Sequence, residues 1–142
     1  MQQPNPNFRT DPKDYSKVEI AKINSNELRG NLFNEFRDAS YENLEWESEQ
    51  IVKSHGIYLE FNRAKTGSQK DWIYMIRISI PGGGPITAEQ WNILDGISDR
   101  YTAGPKDAYP QGRPSLRVTT RQNIQLHWVR KKHVVDAIRD IA

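Results

Sequence analysis

The segment from Pro114 to Val129 alternates between apolar and polar side chains. Its even positions are apolar and comprise Leu116, Val118, Ile124, Leu126 and Trp128. Its odd positions are polar and comprise Arg117, Thr119, Arg121, Gln125 and His127. This two-residue period predicts two short β-strands, joined by a turn near residues 121–123, with one apolar and one polar face. We call the side that carries the odd positions the polar face.

A third strand is predicted over Trp72–Ile80, where every even position is again apolar. Arg77 and Ser79 interrupt its odd positions. If the three strands share one sheet, Arg77 joins Arg117 and Arg121 on the polar face. A single arginine there would be an ordinary solvated side chain. Three guanidinium groups without a carboxylate partner repel one another, which favours an anionic ligand on this face.

Two helices with apolar stripes accompany these strands. Thr87 and Gln90 form a capping box that begins the first helix. Its stripe comprises Trp91, Leu94, Ile97 and Tyr101, and the last helix carries Val134, Val135, Ile138 and Ile141 on one side. From Trp72 onward the order is β-α-β-β-α, which is typical of a ferredoxin-like α+β half-domain with both helices on the apolar sheet face. The polar face is then open to solvent or to a ligand.

The chain divides into three predicted regions. Residues 1–24 begin with a polar, proline-containing stretch and are predicted to be a flexible N-terminal arm. Residues 25–70 form a helical and extended N-terminal extension that is expected to wrap the pocket. It begins with a helix over Asn26–Ala39, predicted from the spacing of its leucines and phenylalanines. Residues 71–142 form the half-domain, with proline- and glycine-rich breakers at residues 81–85 and 103–114.

Composition narrows the class of protein further. Cysteine is absent from all 142 residues, which excludes disulfides, cysteine nucleophiles and iron–sulfur ligands within this sequence. There is no apolar run of membrane-spanning length and no secretion signal, so a cytoplasmic protein is expected. The net charge is +2, but residues 104–142 carry eight basic and three acidic side chains. This local excess supports an anionic ligand near the last two strands.

Several motifs resemble the N-terminal ferredoxin-like half-domain of sirohaem-dependent sulfite and nitrite reductases. They are the strand and turn MIRISIPGG, the helix start ITAEQW and the strand pair LRVTTRQNIQLH. Upstream, Leu28-Arg29-Gly30 and His55-Gly56-Ile57-Tyr58, the latter followed by Arg63, resemble two further segments of this family. The resemblance runs from about Glu27 to the end of the chain.

The resemblance implies a cofactor and a role for the residues of the polar face. Arg77 would help to bind the substrate oxyanion on the open side of the haem. The residues expected around sirohaem and its carboxylates are Arg117, Thr119, Arg121, Gln125 and His127. Arg63 and His55 would support the cofactor pocket. In this family the proximal iron link is a cysteine of a [4Fe–4S] cluster, so His127 is expected to donate a hydrogen bond, and no metal ligand is expected in this chain.

The function implied is the six-electron reduction of sulfite to sulfide or of nitrite to ammonia. Electrons would come from a donor such as ferredoxin or an NAD(P)H-linked flavoprotein and pass through the cluster to sirohaem. The expected partners therefore include the rest of the reductase polypeptide, with its second half-domain and cluster domain. Because the cluster cysteines are absent here, the fragment alone is expected to be inactive. The sequence QLH favours sulfite, whereas Asn123 favours nitrite.

The sequence departs from the family pattern at further positions. Trp128 replaces the glycine usual after QLH and is expected to crowd or reshape the pocket edge. Leu59-Glu60 stands where many sulfite reductases have two glutamines. The connection over residues 103–114 is longer than the short glycine turn of the family.

Two other functions compete with the reductase hypothesis. One is a non-catalytic ferredoxin-like module in which Arg117, Arg121 and the basic residues 130–132 bind an anionic ligand or RNA. RNA-binding sheets present aromatic side chains on the exposed face, and the odd strand positions have none, which disfavours nucleic acid. The other is a structural half-domain that docks a sister half-domain. It requires apolar odd positions, and only Ile73 and Met75 meet that requirement.

Overall fold

The computed structural model describes residues 11–107 and 111–142. The first ten residues of the predicted arm and residues 108–110 of the second breaker lie outside the described residues. Within the described residues, five α-helices and four strands follow one another. They are α1 Lys17–Ile23, α2 Leu32–Arg37, α3 Trp46–Val52, β1 Ile57–Phe61, β2 Trp72–Ile78, α4 Ala88–Tyr101, β3 Leu116–Val118, β4 Ile124–Val129 and α5 Lys131–Ile141.

The strands form one antiparallel sheet in the order β1-β2-β4-β3. The order β2-α4-β3-β4-α5 confirms the predicted β-α-β-β-α unit. The capping box of α4 is also confirmed, because the Thr87 hydroxyl accepts from Gln90 N and the Gln90 side chain accepts from Thr87 N. β1 was not predicted: it comes from the extension and pairs with β2 at the sheet edge. The polar face therefore has four strands instead of three.

The hydrophobic core lies on one side of this sheet. Its strand residues include Tyr74, Ile76 and Leu126, and the helices supply Val52, Ile97, Val134 and Ala137. All of these side chains are buried, and each large one contributes about 1.5–3 kcal/mol relative to an exposed position. The helices thus cover the apolar sheet face, as predicted. Val135 and Ile138, predicted for the same helix side, remain partly exposed, because the buried stripe of α5 runs through Val134 and Ala137.

The N-terminal region differs from the prediction in two respects. Residues 17–23, assigned to the flexible arm, form α1, which begins with a capping box between Ser16 and Glu19. The predicted helix over Asn26–Ala39 is wrong in its first half, because Asn26, Glu27 and Leu28 have φ values of 52°, 59° and 64°. These left-handed residues form a turn in which Gly30 N donates to Ser25 O at 2.7 Å. Leu28 N also donates to the Ser25 hydroxyl at 3.0 Å, so helical spacing of apolar residues does not suffice where a side chain offers the backbone another partner.

Lys131 joins the extension to the half-domain. Its side chain is buried, with 3% exposed, at the start of α5. Nζ donates to the carbonyl oxygens of Asp38 at 3.0 Å and Tyr41 at 2.7 Å and lies 4.1 Å from the centre of the Tyr41 ring. Burial lowers the pKa of Lys131, and the carboxylate of Asp38 opposes this effect. The ammonium group thus holds the segment after α2 against α5.

Replacing Lys131 by methionine is expected to destabilise the fold by about 2 kcal/mol. The variant loses two charge-assisted hydrogen bonds of about 1.5–3 kcal/mol each, and removing a desolvated charge offsets part of that loss. Urea unfolding followed by circular dichroism measures the difference. Lys132→Met, at the exposed neighbouring position, serves as the control and should change stability by less than about 0.5 kcal/mol. Equal unfolding midpoints for Lys131→Met and the wild type would contradict this role.

Candidate functional site: the polar face of the sheet

Three polar residues stand side by side across the polar face. Arg77 on β2 is the Cα partner of Gln125 on β4, and Gln125 is also the partner of Arg117 on β3. Directly paired residues lie on the same side of a sheet, with strands about 4.8 Å apart. We call Arg77, Gln125 and Arg117 the arginine row. One arginine of this row stands on each side of the Gln125 amide.

Arg77 is only partly satisfied by the protein. Its guanidinium carbon lies 5.0 Å from the centre of the Tyr58 ring, and Nη1 is 3.4 Å from the Tyr58 hydroxyl oxygen, a long hydrogen bond. Nε is buried and has no hydrogen-bond partner within residues 11–107 and 111–142. In the same described part of the chain, no carboxylate forms an ion pair with Arg77, Arg117 or Arg121. A buried donor without a partner is unfavourable, so this site suits an external acceptor.

His127 lies beside the arginine row and is neutral at physiological pH. Burial, with a further contribution from the charge of Arg117, lowers its pKa to about 4. The side chain is 13% exposed, and its Nδ1 is 3.8 Å from a carboxylate oxygen of Glu60. Because the ring is uncharged at neutral pH, we do not regard this contact as an ion pair. Nε2 lies 3.3 Å from Gln125 Oε1, so His127 and Gln125 form one polar group.

A β-bulge interrupts β4 at Trp128. Leu126 pairs with Ile76 and Val129 pairs with Tyr74, so His127 and Trp128 together oppose Met75. Val129 therefore occupies the core position opposite Tyr74 and is fully buried, whereas Trp128, predicted on the helix-covered face, is not among the residues of the buried core. Trp128 is half-buried and has a φ of 63°, a left-handed conformation that costs a bulky residue roughly 1–2 kcal/mol.

Thr119 and Arg121 belong to the turn between β3 and β4. The Thr119 hydroxyl accepts from the backbone N–H groups of Arg121 at 3.3 Å and Asn123 at 3.2 Å, so it stabilises the turn. Asn123 Oδ1 accepts from Ile80 N at 3.2 Å and holds the turn against the end of β2. Arg121 is exposed in this turn, beyond the arginine row at the same end of the sheet.

Arg63 stands away from the arginine row, whereas His55 directly precedes Gly56, whose carbonyl oxygen accepts from Arg77 N at 2.8 Å. Arg63 is exposed in the loop after β1, whose last residue Phe61 pairs with Trp72. Trp72 is five residues from Arg77, or about 16 Å at about 3.3 Å per residue, so Arg63 lies toward the opposite end of the sheet. His55 Nε2 is 2.8 Å from the carbonyl oxygen of Leu28 and supports the left-handed turn.

The polar face contains residues that the sequence analysis missed. Tyr58 is the partner of Met75 and Glu60 is the partner of Ile73, so both share this face with Arg77. The alternation in IYLEF, with apolar residues at 57, 59 and 61, is the signal that could have located them. Tyr58 also gives the face an aromatic ring, contrary to the expectation that it had none.

Two of the three basic residues at 130–132 are engaged within the protein. Arg130 Nη1 donates to a carboxylate oxygen of Asp71 and, at 3.0 Å, to the carbonyl oxygen of Trp72. This contact lowers the pKa of Asp71. Lys131 is buried against Asp38 and Tyr41. The basic cluster therefore offers only Lys132 as an exposed group, which weakens the hypothesis that it binds phosphates.

Neither a membrane span nor a metal-binding cluster is found in the described part of the chain. Within residues 11–107 and 111–142, no helix is long and apolar enough to cross a membrane. Over the same residues, no group of three or more histidine, cysteine, aspartate or glutamate side chains could hold a metal ion.

Residues 108–142 match the family described as the nitrite/sulfite reductase ferredoxin-like half domain. Over 137 residues the chain is 35% identical to Sulfite reductase [NADPH] subunit beta of Schizosaccharomyces pombe, covering 92% of this chain and 8% of that protein. It is 33% identical over 132 residues to Sulfite reductase [NADPH] hemoprotein beta-component of a Paenibacillus species, covering 89% and 21%. The corresponding protein of Xanthomonas euvesicatoria is 36% identical over 123 residues, covering 82% and 20%.

The sheet, its helices and these matches define a ferredoxin-like half-domain. The matched half domain and the similarity to sulfite reductases over most of this chain support the sulfite and nitrite reductase family that its motifs predict. It spans less than a quarter of the length of each relative named above.

Proposed function

We propose that this chain is the N-terminal portion of a sulfite reductase, or of a nitrite reductase, that depends on sirohaem and a [4Fe–4S] cluster. In this proposal the polar face binds sirohaem and the substrate oxyanion. The observation that carries it is the arginine row, in which Arg77 Nε is buried without a hydrogen-bond partner among the described residues. The named relatives support sulfite over nitrite, because each is a sulfite reductase.

The chemistry of the polar face fits this cofactor. Sirohaem is a flat, apolar ring edged with carboxylates. Ile73 and Met75 lie on β2 in the middle of this face, where each is buried with only 5% exposed, and guanidinium groups stand at the Arg77 end of the same face. Charge-assisted hydrogen bonds from arginine to carboxylate are among the strongest available. We assign Arg117, Thr119, Arg121, Gln125 and His127 to the carboxylate edge near the arginine row, and Arg63 to the far edge.

Arg77 is assigned to the oxyanion. When bound, sirohaem would supply the iron at which sulfite is reduced. The Arg77 guanidinium would hold the anion and stabilise negative charge as oxygen leaves. Tyr58 would restrict the orientation of the Arg77 guanidinium, because that group lies over the Tyr58 ring. His127, being neutral, can donate one hydrogen bond to a carboxylate without introducing a charge into the site.

The remaining parts of the reaction belong to other segments and proteins. The sequence has no cysteine, so the [4Fe–4S] ligands would come from elsewhere in the reductase polypeptide. The 142 residues alone would therefore bind ligands but carry out no reduction. An electron donor such as ferredoxin or an NAD(P)H-linked flavoprotein, and a cytoplasmic location, complete the proposal.

Sirohaem titration followed by absorbance tests the proposed function. The wild-type chain is expected to bind sirohaem, and Arg117→Ala to bind it about tenfold more weakly, because one charge-assisted contact is lost. Arg139→Ala is the matched control: this exposed arginine lies on α5 and pairs with Asp136. It should bind like the wild type. No uptake by the wild-type chain, or equal uptake by wild type and Arg117→Ala, would contradict the proposal.

The alternative is a non-catalytic module that binds RNA or another anionic ligand. Tyr58 on the polar face makes this alternative worth testing, whereas the engagement of Arg130 and Lys131 opposes it. A fluorescent single-stranded oligoribonucleotide is the probe. We expect no saturable binding at physiological salt. Binding of the oligoribonucleotide without binding of sirohaem would favour the alternative.

A further inference from the structure

Trp128 has a left-handed backbone conformation that packing of the hydrophobic core does not explain. Its φ of 63° is one that glycine adopts without strain, and the remaining residues of β4 are extended strand residues. Val129, and not Trp128, fills the core position opposite Tyr74. The strain is therefore not explained by burial of the indole in the hydrophobic core. A strained, bulky residue of this kind points to a function on the surface that it faces.

The bulge places Trp128 close to the arginine row. Together with His127 it opposes Met75, which is two residues along β2 from Arg77. On the other side of Met75 stands Tyr58 of β1. An aromatic residue thus flanks Met75 on each neighbouring strand. Both stand at the level of Met75, two residues along β2 from Arg77.

We propose that Trp128 is a specificity-determining residue of the polar face, which selects flat, conjugated polycarboxylates over compact anions. This inference rests on the proposed function, since it assumes that the polar face holds a tetrapyrrole. A compact anion needs only the guanidinium groups of Arg77 and Arg117. A flat ring would also extend over Met75, where the aromatic residues of the two neighbouring strands, Trp128 and Tyr58, would offer stacking and edge contacts.

The test compares two variants of Trp128 in the 142-residue chain. Trp128→Phe keeps an aromatic ring and the left-handed strain, whereas Trp128→Gly removes both. The probes are sirohaem, the metal-free flat polycarboxylate uroporphyrin, and pyrophosphate as a compact anion. Trp46→Ala, an exposed tryptophan at the start of α3, is the control for loss of an indole elsewhere. Affinities are measured by absorbance or calorimetry, and thermal midpoints are recorded for every variant.

We expect Trp128→Gly to bind sirohaem and uroporphyrin about tenfold more weakly than the wild type, with unchanged affinity for pyrophosphate. Its thermal midpoint should stay within a few degrees of the wild type, because relief of strain offsets the lost contacts. Trp128→Phe should retain most of the affinity for both flat rings. A purely structural role would instead lower the affinities for all three probes together.

The outcomes separate this inference from the proposed function. If the wild-type chain binds neither flat ring, the proposed function fails, and the role of Trp128 fails with it. If the wild type binds them and Trp128→Gly binds them equally well, only the inference about Trp128 is overturned. An equal loss of affinity for pyrophosphate and for the flat rings would likewise overturn it.

Discussion

Replacing Arg77 by methionine is expected to weaken sulfite binding by the sirohaem-supplied chain about 100-fold, while leaving the fold at least as stable. Two charge-assisted hydrogen bonds of about 1.5 kcal/mol each account for a loss of that size. Stability is retained because Arg77 forms no ion pair with a carboxylate within residues 11–107 and 111–142, and its buried Nε is unpartnered there. Methionine loses the cation–π contact and the long hydrogen bond with Tyr58, and this loss is offset because it also removes a buried donor that has no partner among the described residues.

Titration with sulfite, followed by the shift of the thermal midpoint, measures this effect. A ligand at 100 times its dissociation constant stabilises the folded state by about 2.7 kcal/mol, so the wild type should show a clear shift and the variant almost none. Arg77→Lys keeps the charge but loses the planar fork, so an intermediate loss is expected. Arg139→Met, on the helix side of the sheet, is the control. Equal sulfite affinities for wild type and Arg77→Met would remove Arg77 from the oxyanion site.

The main sheet could be predicted because its strands are long enough to show a period. Nine consecutive residues from Trp72 to Ile80 carry five apolar side chains at even positions. A single strand register places all five on the same face of the sheet. Ile57–Phe61 has the same alternation over five residues, but it lies between polar loops and resembles many short segments that form no strand. Ile57–Phe61 forms a strand because it pairs with β2, and the local sequence pattern does not specify such a long-range contact.

The left-handed residues could not be predicted from hydrophobic pattern. Asn26–Leu28 and Trp128 adopt positive φ because distant groups satisfy or constrain their backbone: His55 contacts the carbonyl oxygen of Leu28, and β2 sets the register around Trp128. Parity alone assigns Trp128 to the core, since parity assumes an uninterrupted strand. The same limit applies to the site. The arginine row forms because no bulge interrupts the pairing of β2, β4 and β3 at its three residues.

Acidification from pH 7 to pH 4 is expected to destabilise the wild-type chain by about 3 kcal/mol through His127 alone. The pKa of His127 falls from 6.5 to about 4 on folding, because burial and the charge of Arg117 disfavour the protonated ring. Between these two values the unfolded chain binds a proton that the folded chain does not. The stability that comes from keeping His127 neutral in the folded chain is therefore complete above pH 6.5. It is lost as the pH falls toward 4, at about 1.36 kcal/mol per pH unit.

Urea unfolding at pH 7.0, 5.5 and 4.5 measures this dependence as a difference between wild type and His127→Gln. Other groups, such as Asp71 with its lowered pKa, also lose stability in acid, but they do so equally in both proteins and cancel in the difference. His133→Gln controls for the removal of a histidine from the partly buried surface of α5. Parallel pH profiles for wild type and His127→Gln would show that His127 is not held neutral by the fold.

Sirohaem should reduce the acid sensitivity, because carboxylates close to His127 would raise its pKa and favour the protonated ring in the folded state. A wild-type profile that sirohaem leaves unchanged, despite binding, would place the carboxylates of the ring away from His127.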